Sequence, residues 1–130
     1  MILKRSIFPL SKITVCINGE DILLSPKGKK NYYLKEVVSK YNIEVKTPLL
    51  FGKTTIETES LTNSSTIYIK SSISDKYYLI GGAISLLFCI LLFFDMMPIL
   101  IFSLVLLLYF IPIIYFTFIK PNKYFVIEIN

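Results

Sequence analysis

The chain has no histidine among its 130 residues and only two cysteines. Without histidine it lacks the commonest general base and the commonest neutral metal ligand. It also lacks the residue spacing of a zinc site, a phosphate-binding loop or a dinucleotide fingerprint. Cys16 and Cys89 lie in segments of different character and predict no disulfide. We therefore predict that the protein is not an enzyme and has no catalytic residue, no metal site and no cofactor.

Charged residues are scarce in the second half of the chain. Between Tyr77 and Ile119 the only one is Asp95. As one continuous helix this segment would be about twice as long as the hydrocarbon core of a bilayer is thick. The Asp95-Met96-Met97-Pro98 sequence predicts a break, because proline is favoured in the first turn of a helix and a carboxylate in mid-bilayer is costly. We therefore predict a two-helix transmembrane hairpin over 75–120, with helices at about 77–94 and 98–119, rather than two buried helices of a soluble protein.

The lysines beside the hairpin predict its orientation. Lys70 and Lys76 precede the first span, Lys120 and Lys123 follow the second, and the connection between the spans has no lysine or arginine. The positive-inside rule then places both termini in the cytoplasm. The N-terminal residues begin no apolar segment of signal-peptide length. The prediction is a two-pass protein of the inner (plasma) membrane.

Before the hairpin, apolar and polar side chains alternate as in β-strands, and turn-forming residues such as Asn18-Gly19 separate the alternating segments. We predict a small antiparallel β-sandwich in residues 1–74, of about seven strands when a C-terminal strand is included. The predicted strands are 13–17, 22–24, 32–34, 41–45, 54–58, 66–70 and 124–129, and residues 35–40 fit either a loop or one helical turn. The predicted core consists of Ile13, Val15, Ile17, Leu24, Ile43, Val45, Ile56, Ile67 and Ile69.

The segment 121–130 after the hairpin has high β propensity. It lies on the same predicted side of the membrane as the sandwich. A free apolar strand edge is an aggregation hazard, so it needs a partner. We therefore expect this segment to return and pair with a strand of the sandwich rather than to form a frayed tail.

The order of these features resembles that of small, uncharacterised bacterial membrane proteins with a β-sandwich domain of the PEGA type. The similar residues are the Ile17-Asn18-Gly19-Glu20 turn, the strand at 40–46, the hydrophobic hairpin and the closing segment 122–129. Val38-Ser39 stands where the family has a Pro-Gly turn. The resemblance implies a sandwich fold and brings no activity with it.

Three groups of residues are candidates for contacts with other molecules. Small or helix-bending residues suited to helix packing are Gly81, Gly82, Ser85, Ser103 and Pro112. They either close the hairpin on itself or also bind another membrane protein or a second copy. The candidates for lipid headgroups and orientation are Lys70, Lys76, Lys120 and Lys123. The third group is a basic turn of Lys27, Lys29 and Lys30, which suits phosphates or simply solvent.

Two acidic positions leave alternatives open. Asp95 is either part of an interfacial loop or, if it lies deep in the bilayer, a proton or ion site. Glu20-Asp21 stands beside a tight turn, where a weak cation site is conceivable.

The leading functional hypothesis is a non-enzymatic, membrane-tethered interaction or adaptor protein that docks onto a larger membrane or cytosolic partner. The alternatives are an anionic-lipid surface sensor and an immunity or accessory subunit of a membrane complex. The expected partners are membrane lipids and a protein, either another membrane protein or a second copy of the chain. Neither nucleic acid nor a small-molecule substrate is expected.

Overall fold

A computed structural model describes residues 1–48 and 52–130, which form a β domain of two sheets and a helical hairpin. The strands are β1 (Ile2–Arg5), β2 (Ile13–Ile17), β3 (Glu20–Leu24), β4 (Lys29–Asn31), β5 (Tyr41–Lys46), β6 (Lys53–Thr58), β7 (Thr66–Ser71) and β8 (Phe125–Ile129). The hairpin consists of α1 (Asp75–Phe93) and α2 (Ile99–Ile114) and lies between β7 and β8 in the chain.

Each sheet contains four of these strands, in the orders β4-β1-β7-β8 and β3-β2-β5-β6. Neighbouring strands are antiparallel except β1 and β7, which are parallel. The prediction of an antiparallel sandwich of about seven strands is therefore corrected twice, because β1 is an eighth strand and its pairing with β7 is parallel. β1 is only four residues long and its partner is distant in sequence, so its local pattern did not indicate a strand.

The strand predicted at 32–34 is also wrong, because β4 covers Lys29–Asn31 instead. β4 is an edge strand whose position depends on its pairing with β1, where Leu3 lies opposite Lys30. The last bond of this ladder is donated by the N–H of Tyr32 to the carbonyl of Met1 at 2.9 Å. Residues 35–40 contain no helical turn.

The inward-facing side chains of both sheets form one core. All predicted core residues are buried except Ile56, which is half-buried and packs against the others. The core also contains seven residues that the prediction did not include: Met1, Leu3, Ile22, Tyr41, Leu61, Tyr124 and Phe125.

The segment 121–130, predicted to return to the β domain, contains β8. β8 pairs antiparallel with β7, from Ser71 opposite Phe125 to Ile67 opposite Ile129. The N–H of Asn130 continues the ladder by donating to the carbonyl of Thr66 at 2.9 Å.

The first helix begins and ends with recognisable caps. The hydroxyl of Ser74 accepts a hydrogen bond from the N–H of Tyr77 at 3.2 Å, so Ser74 is the N-cap. At the other end Asp95 has a φ of +55°. The N–H of Asp95 donates to the carbonyl of Leu92, and the N–H of Met96 donates to that of Leu91. These two bonds form a Schellman motif, and Asp95 is the left-handed residue that it requires.

The second helix continues after Ile114 as a π-helical turn at Tyr115–Ile119. The N–H of Lys120 donates to the carbonyl of Tyr115 at 2.9 Å, five residues back. Pro112 lies inside α2, where it cannot donate the usual backbone bond. Both helices, of 19 residues at Asp75–Phe93 and 21 at Ile99–Ile119, are long and apolar enough to cross a membrane, and none of their residues is buried.

The β domain has one end next to the hairpin and one end far from it. The hairpin end is where Ser71 and Phe125 pair, next to the start of α1. The far end contains the Asn18-Gly19 turn and the Tyr41–Thr58 register pair.

Candidate functional site

The base of the hairpin is where the β domain and both helices meet. β7 leads into α1, α2 returns into β8, and these two strands are neighbours. The hydrogen-bond ladder between β7 and β8 continues beyond the two strands. The N–H of Ser72 donates to the carbonyl of Tyr124 at 2.9 Å. The hydroxyl of Ser72 also donates to the carbonyl of Lys123. The hairpin is therefore attached to the sheet by two adjacent, bonded chain segments.

Arg5 is buried near this junction, with 3 % of its surface exposed. Its guanidinium donates to the backbone carbonyls of Ser6, Ile7, Pro9, Ser11 and Leu24. Burial lowers the pKa of Arg5, but an arginine stays charged at neutral pH. Since carbonyl oxygens satisfy the buried donors, Arg5 fixes the connection at residues 6–12, the 6–12 loop, onto the β domain.

Asp75 attaches the same loop to the hairpin. It is the first residue of α1, where a carboxylate is also stabilised by the helix dipole. Its oxygens accept hydrogen bonds from the N–H of Ile7 at 3.0 Å and of Phe8 at 3.1 Å. The 6–12 loop is therefore bonded to the β domain through Arg5 and to α1 through Asp75.

Aromatic rings extend this connection across both helices. Phe8 stacks on Tyr78 of α1 with 4.5 Å between ring centroids, and Tyr77 stacks on Tyr109 of α2 at 5.6 Å. The hydroxyl of Tyr77 donates a hydrogen bond to the backbone carbonyl of Tyr109 at 2.9 Å. The hydroxyl of Tyr109 donates one to the backbone carbonyl of Tyr78 at 3.3 Å. These contacts hold α1 and α2 together at their base.

Of the residues predicted for helix packing, Gly81 lies in the contact between the helices. A Cβ atom on Gly81 would lie 2.1 Å from Cε2 of Tyr109, whereas one on Gly82 would meet nothing within 4 Å. Tyr109 was not among the predicted site residues, because a tyrosine within an apolar span carries no signal of the helix face that it occupies.

The other three packing candidates have local roles. The hydroxyl of Ser85 donates to the carbonyl of Gly81 at 2.8 Å within α1. The hydroxyl of Ser103, on the exposed side of α2, donates to that of Ile99 at 2.9 Å. Pro112 precedes the π turn.

The second sheet reaches the hairpin base through Gly52 and Tyr124. Gly52 has a φ of +93°, and a Cβ atom there would lie 2.5 Å from Cγ of Tyr124. Burial raises the pKa of Tyr124. The N–H of the next residue, Phe125, donates to the hydroxyl of Thr54 in β6 at 3.0 Å. β6 is therefore bonded to the segment that returns from α2.

The lysines divide into paired and unpaired groups. Ion pairs hold Lys35, Lys40, Lys46, Lys53 and Lys70. Lys120 lies over the ring of Tyr115, 5.6 Å from its centroid. In the described ranges no carboxylate lies within ion-pair distance of Lys4, Lys12, Lys27, Lys29, Lys30, Lys76 or Lys123.

Four of these seven unpaired lysines lie at the hairpin end or the hairpin base. Lys12 and Lys27 lie in connections at the hairpin end, and Lys76 and Lys123 lie at the hairpin base. The other three lie on β1 and on the edge strand β4, where Lys4 is opposite Lys29 and Lys30 is opposite Leu3. Lys70, predicted as an orientation residue, is paired with Glu128 on the outer face of that sheet. Of the four predicted orientation residues, Lys76 and Lys123 therefore have no ion-pair partner among the described residues, whereas Lys70 has one and Lys120 contacts an aromatic ring.

The predicted basic turn borders a shallow cleft. Lys27 has a φ of +54°, and its N–H donates to the carbonyl of Ser6 at 3.1 Å. Lys29 and Lys30, with Lys12 opposite, line a cleft of about 360 Å³.

A second cleft, of about 190 Å³, lies at the far end. In it the carboxylate of Glu20 accepts a hydrogen bond from the hydroxyl of Tyr32 at 2.5 Å and pairs with Lys35. Burial and the bond to Glu20 raise the pKa of Tyr32 to about 12, and the bond to Lys35 lowers the pKa of Glu20. Tyr33 and Val37, on the loop that borders this cleft, are 76 % and 92 % exposed.

The remaining candidates for chemistry are dispersed. Cys16 is a half-buried free thiol in β2 and Cys89 is an exposed one in α1. Asp21 of the Glu20-Asp21 pair is exposed on β3, and Asp95 is exposed at the turn of the hairpin. Within residues 1–48 and 52–130 no three His, Cys, Asp or Glu side chains are grouped so that they could hold a metal ion.

The chain matches no family model, no curated protein and no solved structure.

Proposed function

We propose that the chain is a two-pass protein of the inner (plasma) membrane, with α1 and α2 as the transmembrane hairpin and the β domain on the cytoplasmic side. The helices are roughly 28 and 32 Å long at 1.5 Å per residue, which matches the hydrocarbon core. Both expose many large apolar side chains, as lipid-facing helices do. Lys76, Lys120 and Lys123 flank their base and no lysine flanks the Asp95 turn, in agreement with the positive-inside rule.

On this membrane the chain acts as a non-enzymatic interaction protein that presents the far end of its β domain to a protein partner. The observation that carries this proposal is the exposure of Tyr33 and Val37 beside the far-end cleft. Tyrosine is enriched where proteins bind each other, and a central apolar contact with a polar rim is typical of such interfaces. Glu20 and Lys35 neutralise each other at this site and are suited to that rim.

The attachment at the base supports the same function. Two bonded strands and the 6–12 loop connect the β domain to the hairpin. A domain held in this way keeps its far end directed away from the bilayer, where a larger membrane or cytosolic partner can reach it. The resemblance to the PEGA type stays a prediction and adds no activity to this proposal.

Photo-crosslinking in the native membrane tests the proposal. A photoreactive amino acid at Glu36, between Tyr33 and Val37, is expected to give a discrete adduct with one protein. The adduct should disappear in the Tyr33→Ser/Val37→Ser double variant. The same probe at the exposed Thr55 of β6 is the matched control and should give none. Equal adducts at both positions, or none at Glu36, would contradict the proposal.

A sensor of anionic lipid surfaces is the second candidate, and the placement of the unpaired lysines favours it. Lysines near an anionic leaflet are attracted to it, and salt weakens this attraction. The thermal midpoint of the protein in nanodiscs should then rise with the fraction of phosphatidylglycerol and lose this rise at high salt. A midpoint that is indifferent to both would dismiss this function.

A further inference from the structure

The 6–12 loop lies at the same level as the first turn of α1. Asp75, at the start of that turn, accepts hydrogen bonds from Ile7 and Phe8, and the ring of Phe8 stacks on Tyr78 at its end. If α1 enters the bilayer at this turn, the loop lies at the surface of the same leaflet. The contacts with α1 therefore set the depth of the 6–12 loop relative to the bilayer.

Leu10 is held at the outer side of this loop. The guanidinium of Arg5 binds the carbonyls of Pro9 and Ser11, the residues on either side of Leu10. The backbone at Leu10 is therefore fixed, and its side chain is 67 % exposed. An apolar side chain held outward at the level of a bilayer surface is suited to the interface between headgroups and acyl chains.

Three lysines without an ion-pair partner among the described residues belong to this loop and to the hairpin base. Lys12 follows in the same loop, and Lys76 and Lys123 lie at the hairpin base. The nearby carboxylate, that of Asp75, accepts hydrogen bonds from two backbone N–H groups. Lysines beside an inserted apolar side chain attract the phosphates of anionic lipids.

We propose that the 6–12 loop is a second membrane contact, which inserts Leu10 among anionic phospholipid headgroups and binds their phosphates through Lys12 and the lysines at the hairpin base. This inference rests on the proposed transmembrane hairpin. It adds a defined lipid-binding site to the β domain, which would then sit on the leaflet as well as being tethered to it.

The test uses the full chain in nanodiscs, with one fluorophore-labelled cysteine at a time and spin-labelled lipids as quenchers. One sample carries the label on native Cys89 of α1 in the Cys16→Ser background. The other two carry it at Leu10→Cys or Leu23→Cys in the Cys16→Ser/Cys89→Ala background. Leu23 is the matched control, since it is also an exposed leucine but lies on β3.

We expect lipids labelled in the acyl chain to quench the label on Cys89. Lipids labelled at the headgroup should quench the label at Leu10→Cys about twofold or more above that at Leu23→Cys. If Cys89 is quenched but Leu10→Cys behaves like Leu23→Cys, the loop contact is wrong and the hairpin stands. If Cys89 is not quenched, the transmembrane hairpin itself is wrong.

The lysines are tested in the same samples by exchanging phosphatidylglycerol for phosphatidylcholine. Quenching at Leu10→Cys should fall on this exchange, and Lys12→Glu should remove the difference between the two lipids. Lys40→Glu, directly before Tyr41 at the far end, is the control and should leave the difference unchanged. Equal quenching in both lipids would overturn the recognition of anionic headgroups.

Discussion

Gly81 of α1 lies against the ring of Tyr109 of α2, so closely that a Cβ atom at Gly81 would lie 2.1 Å from Cε2 of the tyrosine. The next residue, Gly82, has open space around its Cα. Alanine at Gly81 therefore tests the packing between the helices, and alanine at Gly82 tests intrinsic helix propensity alone.

Gly81→Ala should therefore destabilise the hairpin by about 1–3 kcal/mol. The added methyl group must displace the ring of Tyr109, which is attached to α2 and is hydrogen-bonded to α1 through its hydroxyl. Gly82→Ala should be neutral or stabilising by up to about 1 kcal/mol, since alanine favours the helix. Thermal unfolding in nanodiscs compares the two variants. Equal midpoints would show that Gly81 and Tyr109 do not pack as described.

Replacing Arg5 by methionine should lower the free energy of unfolding by about 2–4 kcal/mol, because it leaves several buried carbonyl oxygens without donors. Lys4→Met, on the exposed face of the same strand, should change it by less than about 0.5 kcal/mol. Denaturant unfolding followed by tyrosine fluorescence measures both variants. A small effect of Arg5→Met would mean that the 6–12 loop is fixed without the guanidinium.

Asp95 should tolerate asparagine and glycine but not valine. Its left-handed conformation completes the Schellman motif of α1, and a β-branched residue is strained there by about 1–2 kcal/mol. Thermal midpoints of the three variants should therefore fall only for Asp95→Val. If Asp95 were instead an intramembrane proton or ion site, Asp95→Asn would change the pH dependence of the midpoint.

Tyr32 should titrate at about pH 12 and contribute to stability only below that range. Its pKa is raised in the folded protein, so its contribution is fully present below pH 10, the ordinary value, and is lost as the pH rises from 10 to about 12. Glu20→Gln should move the pKa of Tyr32 back toward 10, though burial keeps part of the shift. The difference in phenolate absorbance between each protein and its Tyr32→Phe variant measures this pKa.

The sequence predicted the inner strands, such as β2 and β5, in which one face is buried along the whole segment. β2 is an inner strand with one side on the core, and its buried residues are Ile13, Val15 and Ile17. They occupy every second position, which is the pattern that indicates a strand. β1 was missed because its pairing with β7 depends on a partner far along the chain. β4 was misplaced by a few residues because an edge strand of exposed residues has no such pattern.

The hairpin base could be predicted only in part. The small size of Gly81 suggested helix contact, but the facing residue on α2 depends on how the two helices are rotated about their axes. Arg5 and Asp75 meet through a loop between them, and neither has a local motif for that role. Arg5 is two residues after Leu3, so both side chains point to the same, buried face of β1. This spacing is the one local feature that indicates a buried arginine.

The neighbouring positions of β7 and β8 impose an order on synthesis. Because β8 follows α2 in the chain, the ribosome makes both helices before the first sheet can receive its outer strand. Until then β7 has an open edge that is prone to pair with other molecules. In the proposed topology, a chain in which only one of the two spans is inserted would leave β8 on the other side of the membrane, and its β domain would keep an exposed strand edge at β7.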